Sequence, residues 1–156
     1  MSSMKVAVVM GSKSDEQVMT AAGEILGKFG IESEMLVLSA HRQPNSAASF
    51  ARNAEKNGFK VIIAGAGKSA ALPGVIASHT RLPVIGVPVK TDDLGGLDSL
   101  LSIVQMPKGI PVACVAINGA ANAALLAIEI LSLSDPELNN RLIEYRADFD
   151  DTGEFK

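Results

Sequence analysis

Five short apolar runs, each followed by a stretch with helical spacing, constrain this chain more than any other feature. The runs are Met4–Met10, Glu34–Leu38, Lys60–Ala64, Val84–Val87 and Val112–Ile117, and Gly or Pro marks each switch. Between them, apolar residues recur at helical intervals. Val18, Ala22, Ile25, Leu26 and Phe29 share one face, and Gly30 ends that helix. Pro44 opens a second helix carrying Ala47, Phe50, Ala51 and Ala54, closed by Gly58. A short third helix spans Leu72 to Ser78, a fourth bears Leu97, Leu100, Leu101 and Val104, and a fifth covers Ala120–Leu133. Ser14 with Gln17, and Ser134 with Glu137, read as capping boxes for the first and last helices. The last helix runs to about Ala147, and the acidic tail Asp148–Lys156 is expected to fray.

Short buried strands alternating with helices imply a parallel sheet covered on both faces. Right-handed crossovers then favour a flavodoxin-like three-layer α/β/α sandwich with a five-stranded parallel sheet. At 156 residues the chain suits one domain over 1–156, and a hydrophobic content of 47% excludes general disorder. A net charge of -3 argues against a non-specific nucleic-acid binder, and without Trp a base-stacking platform is not expected. The one cysteine, Cys114, has no internal disulfide partner and fits a reducing compartment. No apolar run reaches membrane-spanning length, and no signal core precedes the first strand, so a soluble cytoplasmic protein is expected. The fifth helix is apolar nearly all round, which calls for a neighbouring subunit or a central position in the core.

Three strand ends carry residues that suit chemistry. Gly11-Ser12-Lys13-Ser14-Asp15 joins the first strand to the first helix, where backbone N–H groups and the helix dipole favour an anion. Asp15 fits a sugar hydroxyl or a proton-bearing nitrogen better than a phosphate, or serves as ordinary first-turn charge. Ser39-Ala40-His41-Arg42 ends the second strand. It places a proton-moving imidazole beside a two-pronged anion grip, or else forms a polar loop that caps the next helix. Gly65-Ala66-Gly67-Lys68-Ser69 follows the third strand. It fails as a P-loop, because Ile62 stands where the first Gly is required, and as a dinucleotide fingerprint, because the next strand ends in Lys90 without an acid. Its glycines still permit close approach to the backbone. The loop from Lys90 to Gly96 carries Asp92 and Asp93 and reads as solvated loop or lid. His41, His79 and Cys114 lie too far apart in sequence for metal-site spacing. Phosphate, sugar and one titratable group on a shared crevice describe a small ribonucleotide site with acid–base chemistry.

These residues, with Ala64-Gly65-Ala66-Gly67, Leu72-Pro73-Gly74, Gly86-Val87-Pro88, Ser99–Pro107 and Asn122–Ala127, stand in the order seen in class I PurE. The chain resembles that family, the N5-carboxyaminoimidazole ribonucleotide mutases of purine biosynthesis, over roughly residues 4–145. The resemblance implies a homo-octamer that needs no cofactor and moves a carboxylate from N5 to C4 by decarboxylation and recarboxylation. It implies His41 as general acid and base, and Ser12, Asp15 and Arg42 as substrate-binding, with Ser14 beside them. The remaining binding positions would be Gly11, Ser39, Ala40, Gly65, Ala66, Gly67, Lys68, Ser69 and Leu72. One departure stands out: the family's usual Gly-Gly-Ala-Ala-His-Leu-Pro-Gly is here Gly67-Lys68-Ser69-Ala70-Ala71-Leu72-Pro73-Gly74. Ala71 replaces the His, and Lys68 is left to meet a carboxylate or phosphate, solvent or a neighbouring subunit. The alternatives to a mutase are a class II-like carboxylase and a non-catalytic nucleotide binder. Retention of His41 and Arg42 argues against the last.

Overall fold

The computed structural model describes residues 4–150. Strands β1 (Lys5–Met10), β2 (Glu32–Val37), β3 (Phe59–Gly67), β4 (Val84–Val89) and β5 (Ala113–Cys114) form one parallel sheet in the order β2-β1-β3-β4-β5. Helices α1 (Glu16–Lys28), α2 (Pro44–Asn53), α3 (Leu72–His79), α4 (Leu97–Val104), α5 (Ala120–Ser132) and α6 (Pro136–Asp150) cover its two faces. None of these helices is long and apolar enough to cross a membrane.

The pleat sorts alternate residues onto opposite faces. Val6, Val8, Met10, Val61, Ile63, Ile85 and Val87 join one core with α1, α5 and α6. Ala7, Val9, Ile62, Ala64 and Val84 join the other with residues of α2, α3 and α4. The small side chains on the second face bring its helices close. Gly86 shows how close: a Cβ there would stand 2.3 Å from Ile103 Cγ2, with Val112 and Pro73 at 3.3 and 3.4 Å.

Several boundaries differ from those read in the sequence. β3 does not end at Ala64. It continues through Gly65-Ala66-Gly67, because Gly65, Ala66 and Gly67 pair with Val87, Pro88 and Val89 of β4. The supposed glycine loop is therefore strand, and Pro88 sits inside β4 rather than ending it. β5 shrinks to two residues, and β2 starts two residues early, at Glu32. α2 stops at Asn53, short of Gly58. A register shift between Lys5 and Val6 leaves Lys60 as an extra residue in β3.

The caps also move. Ser12, not Ser14, caps the first helical segment, a 3-10 turn over Lys13–Asp15 that runs directly into α1, and Asp15 rather than Gln17 completes the box. Asp135, not Ser134, caps α6, its Oδ1 accepting from the backbone N–H groups of Glu137 and Leu138 at 3.0 Å each. α6 continues through Asp150, past the point where fraying was expected; the rest of the tail lies outside the described residues.

Much of the apolar surface of α5 is covered within the chain, while Leu125, Leu126 and Ile130 are only partly buried. Ala120, Ala123, Ala124, Ala127, Ile128 and Leu131 are buried against the sheet and α1, and α6 packs on another side. α4 is the helix that leaves a stripe uncovered: Leu97, Leu101 and Val104 are each about half exposed.

Gly86→Ala should destabilise the fold by about 1–3 kcal/mol, the usual cost of overpacking a close helix–sheet contact. Urea unfolding should show a lower midpoint at unchanged m-value. An unchanged midpoint would mean that Ile103 moves aside without cost.

Candidate active site

The carboxyl ends of β1, β2, β3 and β4 open into one cleft of about 600 Å³. Order 2-1-3-4-5 makes β1 and β3 the place where the winding reverses, and ligands of open α/β sheets bind there. Gly11, Ser12, Ser14, Asp15, Ser39, Ala40, His41, Arg42, Ala66, Gly67, Lys68, Ser69 and Leu72 all line it. Of the residues picked from the sequence, Gly65 alone does not. It lies beneath the floor, where its carbonyl accepts from the Gly11 N–H at 3.1 Å. That bond ties the turn after β1 to the extended end of β3.

The β1 turn is held by its own side chains. Ser12 Oγ accepts from the Ser14 N–H at 3.4 Å and from the Ser14 hydroxyl at 3.0 Å, while the Ser12 N–H donates to Asp15 Oδ2 at 3.2 Å. Asp15 is only 8% exposed. Burial pushes its carboxyl above the usual range, against the opposing pull of the Ser12 N–H and the Arg42 charge.

The β2 turn is equally constrained. Buried Ser39 accepts at Oγ from the Arg42 N–H and from Arg42 Nε, each at 3.2 Å, and its own N–H donates to Gln43 Oε1 at 3.2 Å. Arg42 reaches across to donate from Nη2 to the Gly11 carbonyl at 3.1 Å. The guanidinium thus bridges the turns after β1 and β2 and is fixed before any ligand arrives. His41 sits on the same turn, exposed in the cleft, with no hydrogen bond to another described residue. A fixed cation beside an uncommitted imidazole is an arrangement for holding an anion while a proton moves.

On the far side, Lys68 pairs with Asp93 of the β4–α4 loop. Neither solvent alone nor a neighbouring subunit is needed to account for its direction. Each partner strengthens the charged form of the other, so the lysine is raised and Asp93 lowered from their ordinary pKa values. Ala71 and Thr91 complete the lining and were not among the positions chosen from the sequence. Ala71 was visible as the place where the family's His is missing. Thr91 carried no signal, because only the pairing of β4 with the end of β3 brings it to the rim: a Cβ on Gly67 would lie 3.0 Å from Thr91 Cγ2.

Sheet order and cleft are those of a small-molecule α/β enzyme. Comparison with known proteins makes this specific. The family model for AIR carboxylase matches residues 5–152. An N5-carboxyaminoimidazole ribonucleotide mutase from Pyrococcus abyssi is 58% identical over 144 residues, covering 92% of this chain and 83% of that protein. The protein of the same name from Escherichia coli K12 is 56% identical, covering 91% of this chain and 85% of that protein. The crystal structure of Treponema denticola PurE superposes with a TM-score of 0.84 at 31% identity, covering 98% and 99% of the two chains. The chain belongs to the AIR carboxylase family.

Asp15 carries a carboxyl whose charged form its burial opposes. Its folded-state pKa is raised, so the charged form opposes folding above that value, and the penalty fades as pH falls through it. Asp15→Asn should therefore fold at least as stably at pH 7, while ribonucleotide affinity falls. Thermal melts at pH 7 and calorimetric titration check the two halves. A variant that loses stability would show that the Ser12 hydrogen bond outweighs burial.

Proposed function

We propose that this protein is a mutase that converts N5-carboxyaminoimidazole ribonucleotide to 4-carboxy-5-aminoimidazole ribonucleotide in purine biosynthesis. The observation that carries this reading is the cleft itself: uncommitted His41 faces it beside Arg42, which is already locked to Gly11 and Ser39. The names of relatives 56% to 58% identical support the same substrate and a mutase reaction.

Arg42, the Ser12 and Ser14 hydroxyls and the N-terminal end of the first helical turn receive the phosphate. Asp15 accepts a hydrogen bond from a ribose hydroxyl. As the N5–carboxylate bond breaks, CO2 leaves and His41 delivers a proton to N5. C4 of the ring then attacks CO2, and the C4 proton passes back to His41. The proton given in the first half is recovered in the second, so the reaction balances without a co-reactant. CO2 must stay in place between the steps, and the apolar lining of Ala40, Ala66, Ala71 and Leu72 keeps water from competing for it.

The protein is further proposed to work in the cytoplasm as a homo-octamer. The uncovered Leu97, Leu101 and Val104 of α4 support association. Sedimentation should find eight copies of the 16.2 kDa chain. Leu101→Glu should shift the population to smaller species, and an unchanged distribution would remove α4 from the interface.

An ultraviolet assay with two substrates tests the reaction. Rapid product formation from N5-carboxyaminoimidazole ribonucleotide, without bicarbonate, is expected. Efficient turnover of aminoimidazole ribonucleotide with bicarbonate instead would make the protein a carboxylase. His41→Asn should lose roughly 100-fold or more in kcat, the usual contribution of a positioned acid–base group, while still binding ribonucleotide. Normal turnover in that variant would dismiss His41 as the proton carrier.

A further inference from the structure

We propose that Lys68 is a specificity-determining residue that leaves Asp93 to bind the carboxylate of the substrate, so that Asp93 stores the cation while the cleft is empty. The inference rests on the ribonucleotide reading of the cleft given above.

Backbone geometry supplies the first observation. Lys68 has φ of 53°, one of two non-glycine residues with positive φ among those described; the other is Asn118, a type that tolerates this region. A long side chain without local compensation is costly there, and glycine would take the conformation freely. Strain of this kind clusters at ligand-binding and switch positions.

Charge supplies the second. The ordinary charges lining the cleft are Asp15, Arg42 and Lys68. The substrate carries a phosphate and a carboxylate, so Arg42 alone, offset by Asp15, leaves it under-neutralised. Arg42 is also fixed at the β1–β2 end by Gly11 and Ser39. Lys68 sits at the end of β3 facing the loop after β4. Two strand spacings, about 10 Å, separate the ends of β2 and β3 across β1, which matches the reach from the phosphate of a mononucleotide to its base. The arrangement puts one cation at each end of the substrate.

The third observation is that the store is weak. Lys68 and Asp93 are each about two-thirds exposed, and exposed ion pairs are easily exchanged. Of the carboxylates that attract Lys68, Asp93 acts most strongly and Asp98 and Asp92 only weakly, so a bound carboxylate competes chiefly with one exposed partner. Beside the lysine, Thr91 Oγ1 is buried without a hydrogen-bond partner among the described residues.

Calorimetry on the intact protein with two stable ligands tests this. 4-Carboxy-5-aminoimidazole ribonucleotide carries the carboxylate, and aminoimidazole ribonucleotide has the phosphate alone. Lys68→Met should weaken the first about tenfold, the order of one charge-assisted contact, and leave the second within about twofold. Asp93→Asn frees the lysine, so it should tighten the carboxylated ligand. Equal weakening of both ligands by Lys68→Met would assign the lysine to phosphate and overturn the proposal. So would weakening of the carboxylated ligand by Asp93→Asn, since a purely structural pair fails from either side. Unchanged binding in an otherwise active Lys68→Met protein overturns the inference and leaves the mutase reading intact. A wild-type protein that binds neither ligand overturns both.

Discussion

The missing side chains at the end of β3 are the constraint on which the site depends. Ala64, Gly65, Ala66 and Gly67 let this strand run on beyond the core and keep pairing with β4. A side chain at Gly65 would collide with Met19, its Cβ 2.3 Å from Sδ, and one at Gly67 would press on Thr91 at 3.0 Å. With nothing there, the strand becomes a flat cleft floor, and the Gly65 carbonyl is free to take the Gly11 N–H. The turns after β1 and β2 are then assembled on that floor rather than merely near it.

From this floor the rest follows by linked hydrogen bonds. Gly65 holds Gly11, Gly11 holds Arg42, and Arg42 is shared with Ser39. The polar groups that would interact with an anion are thus already oriented, and little ordering entropy remains to be lost on binding. His41 is the exception on this frame: it makes no hydrogen bond to another described residue, a freedom that suits the proton-carrying role proposed for it. Buried Asp15 shows the opposite choice: its carboxylate is held at the cleft against the preference of its surroundings.

The layer architecture and the β2 turn were legible because they depend on short-range pattern. Short apolar runs named the strands, and Ser39-Ala40-His41-Arg42 reads as a turn wherever it follows a strand. What escaped depends on partners far away in sequence. The length of β3 is decided by β4, which supplies pairing partners for Gly65–Gly67, and composition alone suggested a loop there. Ser12 displaced Ser14 as the cap because the 3-10 turn begins two residues earlier than the helical spacing indicates. Thr91 and the Lys68–Asp93 pair join the cleft only through the packing of the β3 and β4 ends. Part of the cover of α5 comes from α6, a polar helix whose inner face carries few but well-placed residues, Leu138 and Leu142, and composition did not announce it.

The two rims of the sheet bear on how copies of this chain can meet. β2 lies at one margin with Glu32 and Glu34, salt-bridged to Lys5 at 3.8 and 2.7 Å, and the lysine also rests over the Phe59 ring. β5 ends the other margin after two residues. One border is guarded by charge and the other by brevity, so neither offers a template for strand-by-strand growth. Copies are left to meet through their helical layers. Contacts of that kind close into particles of fixed size when the rotation between copies allows it, whereas edge-to-edge sheets extend without limit. Edge-to-edge growth is thereby opposed at one margin by the same strand that leads into His41 and Arg42.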